Sequence, residues 1–162
     1  MPAGARVLDV ACGGGRHVRW FAARGCDVTG VDRDAAALDP LRGVARVVVA
    51  DLEAGAWPLR GETFDLVVVT NYLWRPLLPT VVASVAEGGA LIYETFAVGN
   101  QSIGRPANPD FLLRRGELLQ ATADLRVVAF EDGYLDDPPR FVQRIAAVRE
   151  GAPTDAPVRY PL

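Results

Sequence analysis

The stretch VLDVACGGGRH, residues 7–17, decides how this chain folds. Val7, Leu8 and Val10 form an apolar run without strict alternation, as in a strand buried on both faces. Gly13, Gly14 and Gly15 end that run, and RHVRWFAARG (16–25) follows as a helix with Val18, Phe21 and Ala22 on one side and Gly25 as its stop. Gly13 and Gly15 can adopt φ > 0 and carry no Cβ, so a ligand can lie close to the backbone there. The next helix turns its free N–H groups and its positive dipole end toward the same place.

The rest of the chain repeats the strand–helix alternation. DVTGVD (27–32) is a second strand, and Asp34 opens a short helix, DAAALDPLR (34–42). ARVVVAD (45–51) is a third strand. A connection marked by proline and glycine, LEAGAWPLRGET (52–63), leads to FDLVVVTN (64–71), a fourth. LLPTVVASVAEGG (77–89), with proline near its start and glycine at its end, reads as a helix, and ALIYETF (90–96) as a fifth strand. A polar loop (97–110) precedes a helix around RRGELLQATA (114–123). LRVVAFEDG (125–133) and RFVQRIAAVRE (140–150) read as strands of a closing hairpin. Strands alternating with helices give a doubly wound α/β domain, its parallel sheet covered on both faces, and the hairpin adds an antiparallel strand at one edge. Ligands in such sheets lie outside the carboxyl ends of the strands, where the glycines fall. The domain is read as residues 1–150, followed by a proline-rich tail, 151–162.

Composition narrows the function classes. A chain of 162 residues is one domain, and its net charge of −3 without a basic run argues against a nucleic-acid partner. No apolar run approaches the ~18–20 residues of a membrane span. The opening MPAGARVLDV does not read as a leader, so the cytoplasm is the expected compartment. Cys12 and Cys26 flank a helix of roughly 12–15 Å, beyond the ~7 Å that a disulfide bridges. Neither is given a redox or metal role, and no metal-ligating set is read elsewhere.

A glycine turn alone suits a dinucleotide or S-adenosylmethionine equally. The dinucleotide pattern needs a third glycine where this chain has Val18. Asp9 sits just before the turn; a pyrophosphate gains nothing from a carboxylate, whereas S-adenosylmethionine carries a cationic amino group and a sulfonium. Asp32, closing the second strand, can accept from both ribose hydroxyls. Asp51, closing the third, can accept from an adenine amino group.

Together these residues resemble the class I S-adenosylmethionine-dependent methyltransferases. The first motif of that family, D/E-x-G-x-G-x-G, falls on residues 9–15, with Ala11 in place of its first glycine and Gly13 and Gly15 in the others. The resemblance implies a Rossmann-like sheet of seven strands in the order 3-2-1-4-5-7-6, with S-adenosylmethionine as cofactor. It implies ribose binding at Asp32, Arg33 beside the adenine face, Asp51 on the adenine amino group, and the Leu52 backbone near the ring. GGGRHVRWFAARGCDVTGVD (13–32), FLLRRGELL (111–119) and EDGY (131–134) are similar to the small tellurite-resistance-type methyltransferases. NYLWRPLLP (71–79) departs from that pattern, so the acceptor is not carried over.

At the methyl end, Asn71 is expected against the cofactor, and Tyr72, Glu94 and His17 are the candidate catalytic groups; Tyr72 is either a base for an oxygen or nitrogen acceptor or a rim aromatic with its hydroxyl in water. Glu94, ending the fifth strand, either binds a substrate cation, acts as a base, or makes a structural bond to the neighbouring loop. His17 either lines the pocket or packs. Arg75 and Arg105 are expected on the roofing loops, either binding an anion or solvated. The expected reaction is methyl transfer to a small molecule, such as a thiol or chalcogen anion, by a monomer or homodimer. A non-catalytic cofactor-binding module and a nicotinamide-dependent reductase are the competing readings. Because the first strand begins near Arg6, the pocket is expected to be open on one side, with apolar surface around Trp20.

Overall fold

The computed structural model describes residues 1–152 and Tyr160. Its sheet is built from β1 (Arg6–Val10), β2 (Asp27–Asp32), β3 (Arg46–Val49), β4 (Phe64–Thr70), β5 (Val85–Phe96), β6 (Arg126–Asp136) and β7 (Pro139–Val148). The spatial order is β3-β2-β1-β4-β5-β7-β6, as the resemblance implied. The first five neighbours run parallel. β7 pairs antiparallel with both β5 and β6, which makes the β7–β6 edge of the sheet antiparallel.

Both faces are covered, which is why β1 does not alternate. On one face Leu8, Val10, Val67, Val69 and Leu91 join the core under α3 (Leu78–Ala83) and α4 (Glu117–Ala121). On the other, Val7, Val28, Leu66 and Val68 meet Val18 and Phe21 of α1 (Arg16–Ala22) and Leu38 of α2 (Ala35–Leu38). Asp34 caps α2 as expected, accepting from the N–H groups of Ala36 and Ala37.

The segment LLPTVVASVAEGG differs from its sequence reading. The helix stops at Ala83, and Val85 already pairs with Phe64. The register then shifts so that Leu66 meets Ala90, with residues 86–89 bulging between. A Cβ on Gly89 would stand 2.9 Å from the carbonyl oxygens of Ala86 and Phe64, so only glycine lets the bulge fold back on β4. These glycines mark a bulge in a long strand, a role that sequence alone does not separate from a helix stop.

Two buried amides tie the later segments to the sheet. The Gln143 side chain donates to the Arg114 carbonyl at 2.5 Å and accepts from the Leu118 N–H at 3.2 Å, pinning α4 to β7. Asn100 accepts from the Phe141 N–H and donates to the Pro106 carbonyl, bracing the loop after β5. Cys12 and Cys26 are free. No helix among the described residues is long and apolar enough to cross a membrane. Apart from Gly151, Ala152 and Tyr160, the expected tail lies outside the described residues.

Candidate active site

The glycine turn follows β1 at the carboxyl edge of the sheet. Ala11, Gly13 and Gly15 all take positive φ, at 54°, 52° and 72°. Only Ala11 is not glycine, and the left-handed region costs such a residue roughly 1–2 kcal/mol. The two glycines serve different ends. A Cβ on Gly13 would meet nothing within 4 Å, so its bareness faces open space. A Cβ on Gly15 would strike the Leu41 side chain, so that glycine lets α1 pack against the segment after α2.

Asp32 braces this turn. Its carboxylate accepts from the Gly13 N–H at 2.8 Å and from the Asp34 N–H at 2.9 Å. Burial, reinforced by Asp9 and Asp32, pushes the Cys12 thiol up to about 12, which makes it inert. Asp9 lies beneath the turn, 1% exposed, and neither of its oxygens has a hydrogen-bond partner. Burial lifts its carboxyl to about 7, against the pull of Arg16. His17 Nδ1 stands 3.9 Å from Asp9 Oδ2. Burial and Arg16 hold the imidazole below its ordinary range, so it is neutral at pH 7.

Asp51 accepts from the N–H groups of Glu53 and Ala54 at 2.9 and 3.3 Å through one oxygen, capping the turn after β3. The Leu52 side chain is buried in the core, and Arg33 is exposed beside Asp32. Asn71 takes φ 55° and donates its N–H to the Glu94 carbonyl at 2.9 Å. It borders two cavities. One, of about 480 Å³, follows the glycine turn past Arg16, His17 and Thr70. The other, of about 230 Å³, lies between the loops after β3, β4 and β5.

The four residues expected at the methyl end fall into two pairs: Asn71 and Tyr72 line the smaller cavity, whereas His17 and Glu94 line a separate groove with Arg16 and Trp20. The Tyr72 hydroxyl is buried without a partner, and burial, then Glu53 and Asp51, raise it to about 12. Both of these acids follow β3. The Glu94 carboxylate pairs across the sheet and not with the neighbouring loop: it lies 3.2 Å from Arg140 Nη2 and 2.6 Å from Arg144 Nε. Both partners sit on β7, far along the chain. Arg75 neither stays solvated nor waits for an anion. It makes a bidentate pair with Glu117 at 2.7 and 2.9 Å and donates to the carbonyls of Asp110 and Leu112. Arg105 remains exposed.

The residues present suit S-adenosylmethionine: an orphaned carboxyl beneath the turn for its amino group, bare backbone at Gly13, and acids closing β2 and β3. The methyltransferase domain model matches residues 7–88, half of the chain. The chain belongs to the methyltransferase domain family. A comparison with curated proteins finds no sequence match. Solved structures share the fold of this methyltransferase. A TehB-like S-adenosylmethionine-dependent methyltransferase from Corynebacterium glutamicum is 22% identical with a TM-score of 0.68, over 93% of this chain and 83% of that one. TehB from Haemophilus influenzae is 20% identical with a TM-score of 0.72, over 90% and 58%. A phosphoethanolamine N-methyltransferase from Haemonchus contortus, in complex with S-adenosylmethionine, is 15% identical with a TM-score of 0.73, over 93% and 50%. Family and fold together make the chain an S-adenosylmethionine-dependent methyltransferase.

Sequence reading missed several groups around this methyltransferase's cleft. Arg16 reaches the Thr70 hydroxyl, Nη2 to Oγ1 at 3.4 Å, and Phe96, Pro106 and Phe111 close the smaller cavity. No local pattern marks them, because they converge only when the loops after β4 and β5 fold together. The expected apolar surface is present. Trp20 and Ile92 are 50% and 44% exposed along a groove that also holds Phe21 and Val68.

Proposed function

We propose that this methyltransferase acts on a small molecule that reaches the site already deprotonated, a thiol or a chalcogen anion. The state of the candidate bases carries this reading. Tyr72 is pushed up to about 12, Glu94 is held by two arginines, and Asp9 is taken in this reading by the cofactor's amino group. Neutral His17 is the remaining proton acceptor, and its lowered pKa makes it a weak one. A soft anion needs no base.

In this reading Asp9 holds the cofactor's amino group, with Ala11, Gly13 and Gly15 shaping the turn against its methionine end. Asp32 takes the ribose, Asp51 and the Leu52 backbone the adenine, with Arg33 over its face and Asn71 beside the sulfonium. Bound S-adenosylmethionine supplies the methyl: the acceptor's lone pair forms the new bond to carbon as the carbon–sulfonium bond breaks and its electron pair stays on sulfur. The protein's share is to hold the acceptor in line and to keep water out. The reading places the enzyme in the cytoplasm as a monomer or homodimer, without nucleic-acid or membrane partners.

The test is S-adenosylhomocysteine formation with 2-mercaptoethanol, selenide, phenol and a primary amine between pH 6 and 9.5. The thiol rate should rise with pH along the acceptor's own ionisation, and His17→Gln should keep at least about half of it. Faster turnover of phenol or amine, abolished by His17→Gln, overturns the reading.

A further inference from the structure

Asn71 separates the cleft at the glycine turn from the cavity of about 230 Å³. That volume falls below the ~300–1,000 Å³ of pockets for drug-sized ligands, so it suits an acceptor of a few heavy atoms. Its lining comes from distant parts of the chain: Glu53 after β3, Tyr72 after β4, Phe96 at the end of β5, and Pro106 and Phe111 from the following loop.

The chemistry of that lining is one-sided. Tyr72, Phe96 and Phe111 bring three aromatic rings to the wall, and an aromatic ring attracts cations over its face. Among the described residues, Glu53 is the only carboxylate lining the cavity, and no arginine or histidine lines it. Among the described residues Glu53 makes no ion pair, whereas Glu94 and Glu117 on neighbouring elements are both taken by arginines. Arg105, next to Pro106 in the chain, is exposed and outside the lining. The Tyr72 hydroxyl, buried and unpartnered, is a spare donor beside the cavity. A negative carboxylate among aromatic faces is poorly suited to an oxyanion and well suited to an ammonium.

We propose that this cavity is the acceptor site and that it selects a thiol bearing a cationic group, an aminothiol. Its ammonium sits on the Glu53 carboxylate among Tyr72, Phe96 and Phe111, and its sulfur points past Asn71 toward the glycine turn. This rests on the soft-nucleophile reading above and narrows it by charge. The thiol proton passes to water before transfer. The thiolate lone pair then forms the sulfur–carbon bond while the sulfonium–carbon bond breaks, leaving a thioether and S-adenosylhomocysteine. Glu53 acts on recognition alone, so it moves KM rather than kcat.

The experiment compares 2-aminoethanethiol, 2-mercaptoethanol and thioglycolate, which differ chiefly in charge, as acceptors for the wild type and Glu53→Gln. Wild-type KM should rise in that order, by about fivefold from first to last, the upper scale of one exposed ion pair. Glu53→Gln should raise KM for 2-aminoethanethiol about fivefold and leave that for 2-mercaptoethanol within about twofold. The methylated product, 2-(methylthio)ethylamine, should compete with 2-aminoethanethiol and lose its potency in the variant. If Glu53→Gln does not fold, the wild-type charge series decides alone. Turnover of the three thiols without charge preference, or with thioglycolate favoured, overturns this assignment only. Turnover of none of them sinks the soft-nucleophile reading and this assignment with it.

Discussion

Above neutral pH the Asp9 carboxylate must carry its charge beneath the glycine turn with no hydrogen bond to either oxygen. Its proton is held to about 7, against an ordinary 3.8. Between those values the folded chain keeps a proton that the unfolded chain has released, so this residue makes folding less favourable as pH rises through that window. The full cost above pH 7 is about 4 kcal/mol. Asp9→Asn removes the titration. The difference in melting temperature, variant minus wild type, should grow from pH 4 to pH 8, while affinity for S-adenosylmethionine falls about tenfold by calorimetry. A difference that stays flat with pH would show that Asp9 is not the titrating group. His17 works in the opposite sense, since its depressed pKa lowers stability as pH falls below 6.5, so Asp9→Asn should be read in the His17→Gln background as well.

At the scale of elements, Arg75 joins the loop after β4 to the segment leading into α4. One guanidinium satisfies the Glu117 carboxylate and the carbonyls of Asp110 and Leu112. Five donors in a fixed plane make this possible, and an ammonium cannot reproduce it. Arg75→Lys should therefore destabilise the fold by about 2 kcal/mol in urea titrations, the scale of one hydrogen bond to a charged group. It should also speed hydrogen exchange at Leu112 and Leu113. Stability within about 0.5 kcal/mol of wild type would mean that the loop is held by Gln143 and Asn100 alone. The glycines of residues 88–89 illustrate the same scale. Their sequence context reads as a helix end, but what requires Gly89 is the approach of the β4 carbonyls.

Across the whole molecule, cofactor binding and folding draw on the same contacts. Asp32 holds the Gly13 amide in the described structure, and that carboxylate also faces the proposed ribose site. S-adenosylmethionine or S-adenosylhomocysteine at ~100 times its Kd should add about 2.7 kcal/mol of stability, while NADH at the same concentration adds nothing. A melting-temperature rise with NADH and none with S-adenosylmethionine would remove the cofactor assignment.

The sequence by itself determined the strand and helix alternation, the glycine turn, and the acids at the ends of β1, β2 and β3. Each is a local signal, an apolar run, a bare backbone or a terminal carboxylate, and each carries its meaning within a few residues. Tertiary structure decided everything that depends on distant partners. Glu94 and Arg144 are neighbours because β5 pairs with β7. Gly15 is required because Leu41 packs over it, and Glu53 meets Phe96 and Phe111 because three loops converge. An ion pair or a cavity wall depends on where two segments meet in space, and residue types alone do not record that meeting.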